Sequence, residues 1–158
     1  MTTGDPHGKR RGFTLIEVFT VLMVVSVVVR IGIPSYQEVR TKAMAAQVVA
    51  DLKAIRVGVV NYNAETHGWP GDAGPGQVPP GLEPFLEGVS FNRGYYQLDW
   101  EHWALPSGLP NHPGVGTVLA ISLETENRAL AAAVKDLLGS SRAHFSVGDS
   151  HTFVLDAF

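Results

Sequence analysis

From Phe13 to Ile33 the chain runs through 21 residues that carry only two formal charges, Glu17 and Arg30. At about 1.5 Å of rise per residue such a stretch reaches roughly 30 Å as a helix, which is the thickness of a bilayer's hydrocarbon core. A helix that is apolar on every side has no face to offer water. The pattern therefore predicts a membrane span rather than the core helix of a globular domain. The 158 residues leave room for one further domain with a core of its own.

Charge orients the span. Lys9, Arg10 and Arg11 precede it, against Asp5. From Val57 onward, four basic residues (Arg93, Arg128, Lys135 and Arg142) stand against eleven acidic ones. Basic residues flanking an apolar span stay on the cytoplasmic side, so the acidic C-terminal part is expected across the membrane, in the periplasm or its equivalent. An acidic head repels phosphate, and no nucleic-acid partner is expected. There is no cysteine, which excludes a disulfide framework and a thiolate metal site.

A secretory signal places its small-residue cleavage site after the apolar stretch. Here Gly12 closes the basic run and precedes the span, so cleavage at Gly12 leaves the hydrophobic helix on the mature chain. The residues Gly12-Phe13-Thr14-Leu15-Ile16-Glu17-Val18 resemble the cleavage and methylation motif of type IV prepilins and type II secretion pseudopilins. The resemblance covers Lys9 to Tyr36 tightly and the following helix loosely. It implies that a prepilin peptidase removes residues 1–12 and N-methylates Phe13. Glu17, four residues past the new terminus, matches the family's glutamate, and the resemblance implies a role for it in filament assembly. Pro34, with Ser35 and Tyr36 behind it, matches the proline and tyrosine that close the membrane half of the family's helix. The implied partners are the prepilin peptidase, identical or related pilin subunits and an inner-membrane assembly platform. The implied location is a single pass through the inner membrane with a periplasmic head, assembled into a periplasmic or surface filament.

Glu17 also stands out without the family, because a carboxylate in hydrocarbon is costly unless paired or protonated. The free amine of Phe13 in an adjacent subunit is a suitable partner. The plainer reading is a side chain that snorkels to the headgroups one turn away. Arg30 departs from the family, where a small or aliphatic residue is usual. It lies about 26 Å along the helix from Phe13, within reach of the far interface; an ion pair with a neighbouring subunit is the alternative.

Gly32 and Pro34 interrupt helical propensity, yet the helical pattern resumes at once. Tyr36, Val39, Ala43, Ala46, Val49, Leu52, Ile55, Val59 and Tyr62 predict an amphipathic stripe to about Asn63. Glu38, Lys42, Asp51 and Lys53 are expected on the opposite, solvated face. The expected divisions are a leader at 1–12, a transmembrane half-helix at 13–34, an amphipathic half at 35–63, a Gly/Pro-rich connection at 64–92 and a sheet with an inserted helix at 93–158. Low complexity and disorder are the plain reading of the connection, and Trp69 with Leu82 and Phe85 suggests that at least parts of it dock. Tyr96 to Glu101 alternates apolar and polar residues as a half-buried strand does. Thr117 to Leu123 reads as a central strand. His144 to Val147 and Thr152 to Leu155 flank the turn residues Gly148-Asp149-Ser150-His151. Glu126 to Leu138 has helical spacing, with Thr125 as the expected N-cap and Gly139 as the stop. The fold class is α+β: a long N-terminal helix packed on a small antiparallel sheet, pilin-like, with a late inserted helix that is not part of the minimal pilin pattern.

Enzyme chemistry is not expected. Asp149, Ser150 and His151 are consecutive, and on an extended chain Ser150 points away from the other two, so they make a turn rather than a triad. Asp99 and Glu101 share a strand face, which is simplest as a solvated face. Adding His102 makes no recognisable metal motif. Some pseudopilins bind calcium near the C-terminus, but this chain does not match that ligand pattern, and neither metal nor cofactor is expected. Trp100 and Trp103 read as core and edge residues. The expected function is that of a structural subunit of a type IV pilus-like or type II secretion pseudopilus filament. The alternatives are a minor priming subunit of such a filament and a membrane-tethered periplasmic binding domain.

Overall fold

The computed structural model describes residues 12–107, 114, 116–139 and 143–158. Lys9, Arg10, Arg11, the rest of the expected leader before Gly12, and Arg142 lie outside them. The first helix, α1, is Leu15–Thr66. Two strands follow, β1 (Gln97–Ala104) and β2 (Thr117–Glu124), then helix α2 (Arg128–Leu138) and strands β3 (His144–Val147) and β4 (Ser150–Ala157). The chain divides into two compact units at Val39 and Arg40, and each is considered by itself.

In the first unit, residues 12–39 are exposed throughout. Phe13 and Leu15 are 86% and 91% exposed. The helix runs through Gly32 and Pro34. Ser35, next to the proline, donates its hydroxyl to the carbonyl of Ile31 at 3.4 Å, a back-bond typical of serine inside apolar helices.

In the second unit the four strands form an antiparallel sheet ordered β1-β2-β4-β3. β2 lies inside it, and its residues Val118 to Leu123 are all buried, which is why its sequence is nearly continuous in apolar residues. The core joins Ala45, Val48, Leu52, Ile55 and Val59 of α1 to Leu98, Trp100, Leu119, Ile121, Leu123 and Phe153 of the sheet. Leu130 and Val134 of α2 complete it. α2 lies between β2 and β3 in the chain, and its spacing gives one apolar face.

Three details differ from the sequence reading. The apolar residues that α1 buries are Ala45, Val48, Val49, Leu52, Ile55 and Val59, so the expected stripe holds at Val49, Leu52, Ile55 and Val59, whereas Tyr36, Val39, Ala43 and Ala46 are exposed. Each step of three residues falls about 60° short of a full turn. A run of such steps from Ala43 drifts around the helix, while alternating steps of three and four hold one face. Asp51, expected on the solvated face, is only 4% exposed. The N-cap of α2 is Asn127, whose side chain accepts from the Leu130 N–H at 3.1 Å. Thr125 instead donates its hydroxyl to the Tyr95 carbonyl and accepts from the Asn127 N–H, so the helix starts later than Glu126. Gly139 closes it at φ 80°.

The Gly/Pro-rich connection docks through its larger side chains. Leu82 is fully buried, and Trp69 and Phe85 pack against the core. Trp69 also meets Phe158, with ring centroids 5.7 Å apart. β3 and β4 join through a two-residue turn, with Val147 paired to Ser150 and Gly148 at φ 63°, the left-handed conformation such hairpins need.

Gly58 marks where this connection presses on α1. A Cβ there would stand 2.8 Å from the Phe85 carbonyl oxygen and 2.8 Å from a Leu86 methyl. Alanine raises helix propensity by about 1 kcal/mol, but a clash with backbone cannot be relieved by a rotamer change. Gly58→Ala is expected to destabilise the second unit by about 1–3 kcal/mol, measured by urea unfolding of the two proteins. Equal or greater stability of the variant would show that the connection yields freely.

Candidate functional site

The first locus is the start of α1. Gly12 and Phe13 precede the helix, and a Cβ on Gly12 would meet nothing within 4 Å. Thr14 and Glu17 bond reciprocally. The Thr14 N–H and hydroxyl both donate to Glu17 Oε2 at 2.8 Å, and the Glu17 N–H donates to Thr14 Oγ1 at 3.3 Å. This is a capping box, which satisfies donors that the first turn of a helix leaves without carbonyl partners. Its signature, a threonine three residues before a glutamate at the head of an apolar run, is readable in Thr14-Leu15-Ile16-Glu17; the sequence reading gave Glu17 an intermolecular partner and missed the local one. Among the described residues, the structure brings Thr14 and Glu17 together at the head of α1, directly after Gly12 and Phe13. Gly32 and Pro34 lie far along the same helix, and Arg30 is exposed.

The second locus is Asp51, which no motif singles out. Arg93 donates to both of its oxygens, Nε to Oδ2 at 2.7 Å and Nη2 to Oδ1 at 3.1 Å. The Tyr96 hydroxyl donates to Oδ2 at 2.5 Å, and Gln47 donates to Oδ1 at 3.0 Å from one turn earlier. Arg93 and Tyr96 reach it because a tight turn leads into β1, closed by the Arg93 N–H to Tyr96 carbonyl bond at 3.1 Å and the bridge between Asn92 and Gln97. Burial pushes the Tyr96 hydroxyl up, and its bond to Asp51 adds to that. The same carboxylate holds Arg93 more firmly in its charged form. Four donors on one buried carboxylate make a structural clamp between α1 and the entry to the sheet.

The third locus is the sheet face opposite the helices. Asp99 and Glu101 lie there, but the face is not simply solvated: Asp99 is only 8% exposed. Ser122, its cross-strand partner in register, donates to Glu101 Oε1 at 3.1 Å and shares a 2.8 Å hydrogen bond with Thr152. Burial, then the charges of Glu101, Asp72 and Glu124, push the Asp99 carboxyl up to about 6, opposed by the Trp100 N–H. Burial also raises Glu101, with the Ser122 hydroxyl acting against it. His102 points to the other face of the strand, and among the described residues no three His, Asp or Glu side chains are grouped as metal ligands. Trp100 is fully buried and donates its indole N–H to the Pro70 carbonyl at 3.0 Å. Asp149, Ser150 and His151 occupy the hairpin turn and the start of β4, and the His151 ring bonds the Ser146 hydroxyl rather than Ser150.

No family model, curated protein or solved structure matches this chain.

The Asp99 carboxyl links stability to pH. Its folded value, about 6, lies above its ordinary 3.8, so the folded state holds the proton more tightly. The stabilisation is full below about pH 3.8 and is lost as pH rises through about 6. Relative to Asp99→Asn, the melting temperature of the wild-type protein is expected to fall across that window. Parallel profiles for the two proteins would show that burial does not hold the proton on Asp99.

Proposed function

We propose that this chain is a subunit of a type IV pilus-like or type II secretion pseudopilus filament, processed at Gly12, N-methylated at Phe13 and anchored in the inner membrane by its first helix. The observation that carries this reading is the start of α1: the motif from Gly12 to Val18 opens a helix whose apolar side chains are uncovered on every side. By length and composition the helix is able to cross a membrane, and none of that stretch is buried. A filament of packed N-terminal helices is one environment that would cover it. The acidic, separately packed second unit suits a periplasmic head, and α2 is then an insertion into the minimal pilin plan.

In this reading Glu17 serves two purposes. Within its own chain it caps the helix that must sit in hydrocarbon. Between chains it pairs with the Phe13 amine of a neighbour, which favours one axial register because any other stagger leaves a buried charge unpaired. The two roles separate by substitution. Glutamine preserves the capping box but removes the charge, while valine removes both. Both variants are expected to insert at wild-type levels or better, since an ionised group is lost from the span. Both should lose filaments, by tenfold or more if the pair is worth about 1.4 kcal/mol or above. The assay is filament yield by electron microscopy alongside membrane levels by immunoblot. Normal filaments from Glu17→Gln with loss only in Glu17→Val would reduce Glu17 to a cap, and normal filaments from both would remove it from assembly.

A further inference from the structure

The second unit is acidic, yet its uncommitted cations gather at one place. From Val57 onward the described arginines and lysines are Arg93, Arg128 and Lys135. Arg93 is held by Asp51. The other two, with His144, Ser146 and His151, line a cleft of about 230 Å³ between α2 and the β3–β4 hairpin. Its remaining walls are Ala131, Ala132 and Phe153, and no aspartate or glutamate lines it. Charges more than about 8 Å away are largely screened at physiological salt, so a small anion in the cleft answers to these local groups rather than to the net charge of the head.

Local sequence builds this cleft. Arg128 and Lys135 are separated by nearly two whole turns of α2, so they leave the helix on one side. Ala131 and Ala132 lie between them, and their short side chains leave room that a larger residue would fill. On the hairpin, His144 pairs with Phe153 and Ser146 with His151 in register, which puts all four on one face of the sheet. The His144 ring stacks on Phe153 with centroids 6.4 Å apart. Ser146 Oγ stands 2.8 Å from His151 Nδ1. When that hydroxyl donates to Nδ1, the ring proton sits on Nε2, which becomes a donor for a ligand.

We infer that this cleft binds a phosphate monoester. The donors come from two walls, guanidinium and ammonium from α2 and imidazole from the hairpin. A carboxylate offers two oxygens in a single plane. A phosphate monoester presents three acceptor oxygens and close to two negative charges, which suits donors arriving from both sides. The Arg128 fork takes two of those oxygens, and Lys135 acts as a point charge. Ala131, Ala132 and Phe153 have no donor to offer and receive the carbon side of the ester. Pockets for drug-sized molecules run from about 300 to 1,000 Å³, so this smaller cleft takes a ligand of headgroup size. The site stands on its own geometry and does not rest on the filament reading.

The test uses the full-length protein in maltoside micelles, with the histidine ring and arginine Nε–H signals followed by NMR. Methyl phosphate is the probe; dimethyl phosphate and acetate are compared at matched pH and ionic strength. Methyl phosphate is expected to shift the His144, His151 and Arg128 signals together and saturably. Dimethyl phosphate and acetate, each with two acceptor oxygens and one charge, should bind several-fold more weakly. Arg128→Gln and Lys135→Gln should each weaken the probe by about tenfold, as loss of a hydrogen bond to a charged group does. Ala132→Glu, at an exposed helix position, sets a carboxylate in the cleft and should abolish binding. Arg56→Gln removes the same charge from α1, outside the cleft, and should leave binding unchanged. Short-chain phosphatidic acid in the micelle carries the same group on a lipid; a stronger response to it than to methyl phosphate would keep the site and assign its ligand to a lipid headgroup. No saturable shift from either monoester would overturn the site. So would equal affinity for acetate, or equal weakening by Arg56→Gln, since both would mean attraction to charge without a shaped cleft.

Discussion

Among the described residues, the apolar side chains of α1 between Leu15 and Ile33 are all exposed, and that surface is the constraint on which the proposed account depends. A helix keeps its backbone hydrogen bonds to itself, which is what hydrocarbon demands. Its first turn remains the weak point, because donors there have no carbonyls to meet. Thr14 and Glu17 supply acceptors at that point. The Glu17 carboxylate is thus engaged by its own helix.

The second unit draws the α1 part of its core from Ala45 onward. Helix and sheet meet through Leu52, Ile55 and Val59, and the polar clamp at Asp51 fixes their match. A carboxylate buried on a helix is tolerable only when its lone pairs are filled, and Arg93, Tyr96 and Gln47 fill them. Removing one member would strand the others, so the clamp specifies which segment packs on α1 as much as it stabilises the contact. Gly58 plays the complementary part a turn and more further on, where absence of a side chain lets the connection approach the helix.

Much of this was legible in the residues. The uncovered stretch, the α+β order, the inner strand β2, the hairpin at Gly148 and the stop at Gly139 are all signalled by local composition and spacing. What was not legible depends on partners distant in sequence. Asp51 reads as a surface residue because nothing nearby announces Arg93 and Tyr96, forty-odd positions later. Asp99 reads as solvated because strand alternation reports which face a residue occupies, not whether that face is open. The expected α1 stripe holds from Val49 to Val59 and fails before it, where the apolar Tyr36 and Val39 are exposed. The capping box was readable and was overlooked, because an acid in an apolar span draws attention to distant partners first.

The central claim, that the chain is matured at the head of this helix and anchored by it, is tested most directly by intact-mass and fragment-ion mass spectrometry of the protein from cells with an active prepilin peptidase. The account predicts a chain beginning at an N-methylated Phe13, and accumulation of the uncut form when Gly12 is replaced by a bulkier residue. A protein still carrying Met1, with no methyl group on Phe13, would contradict it.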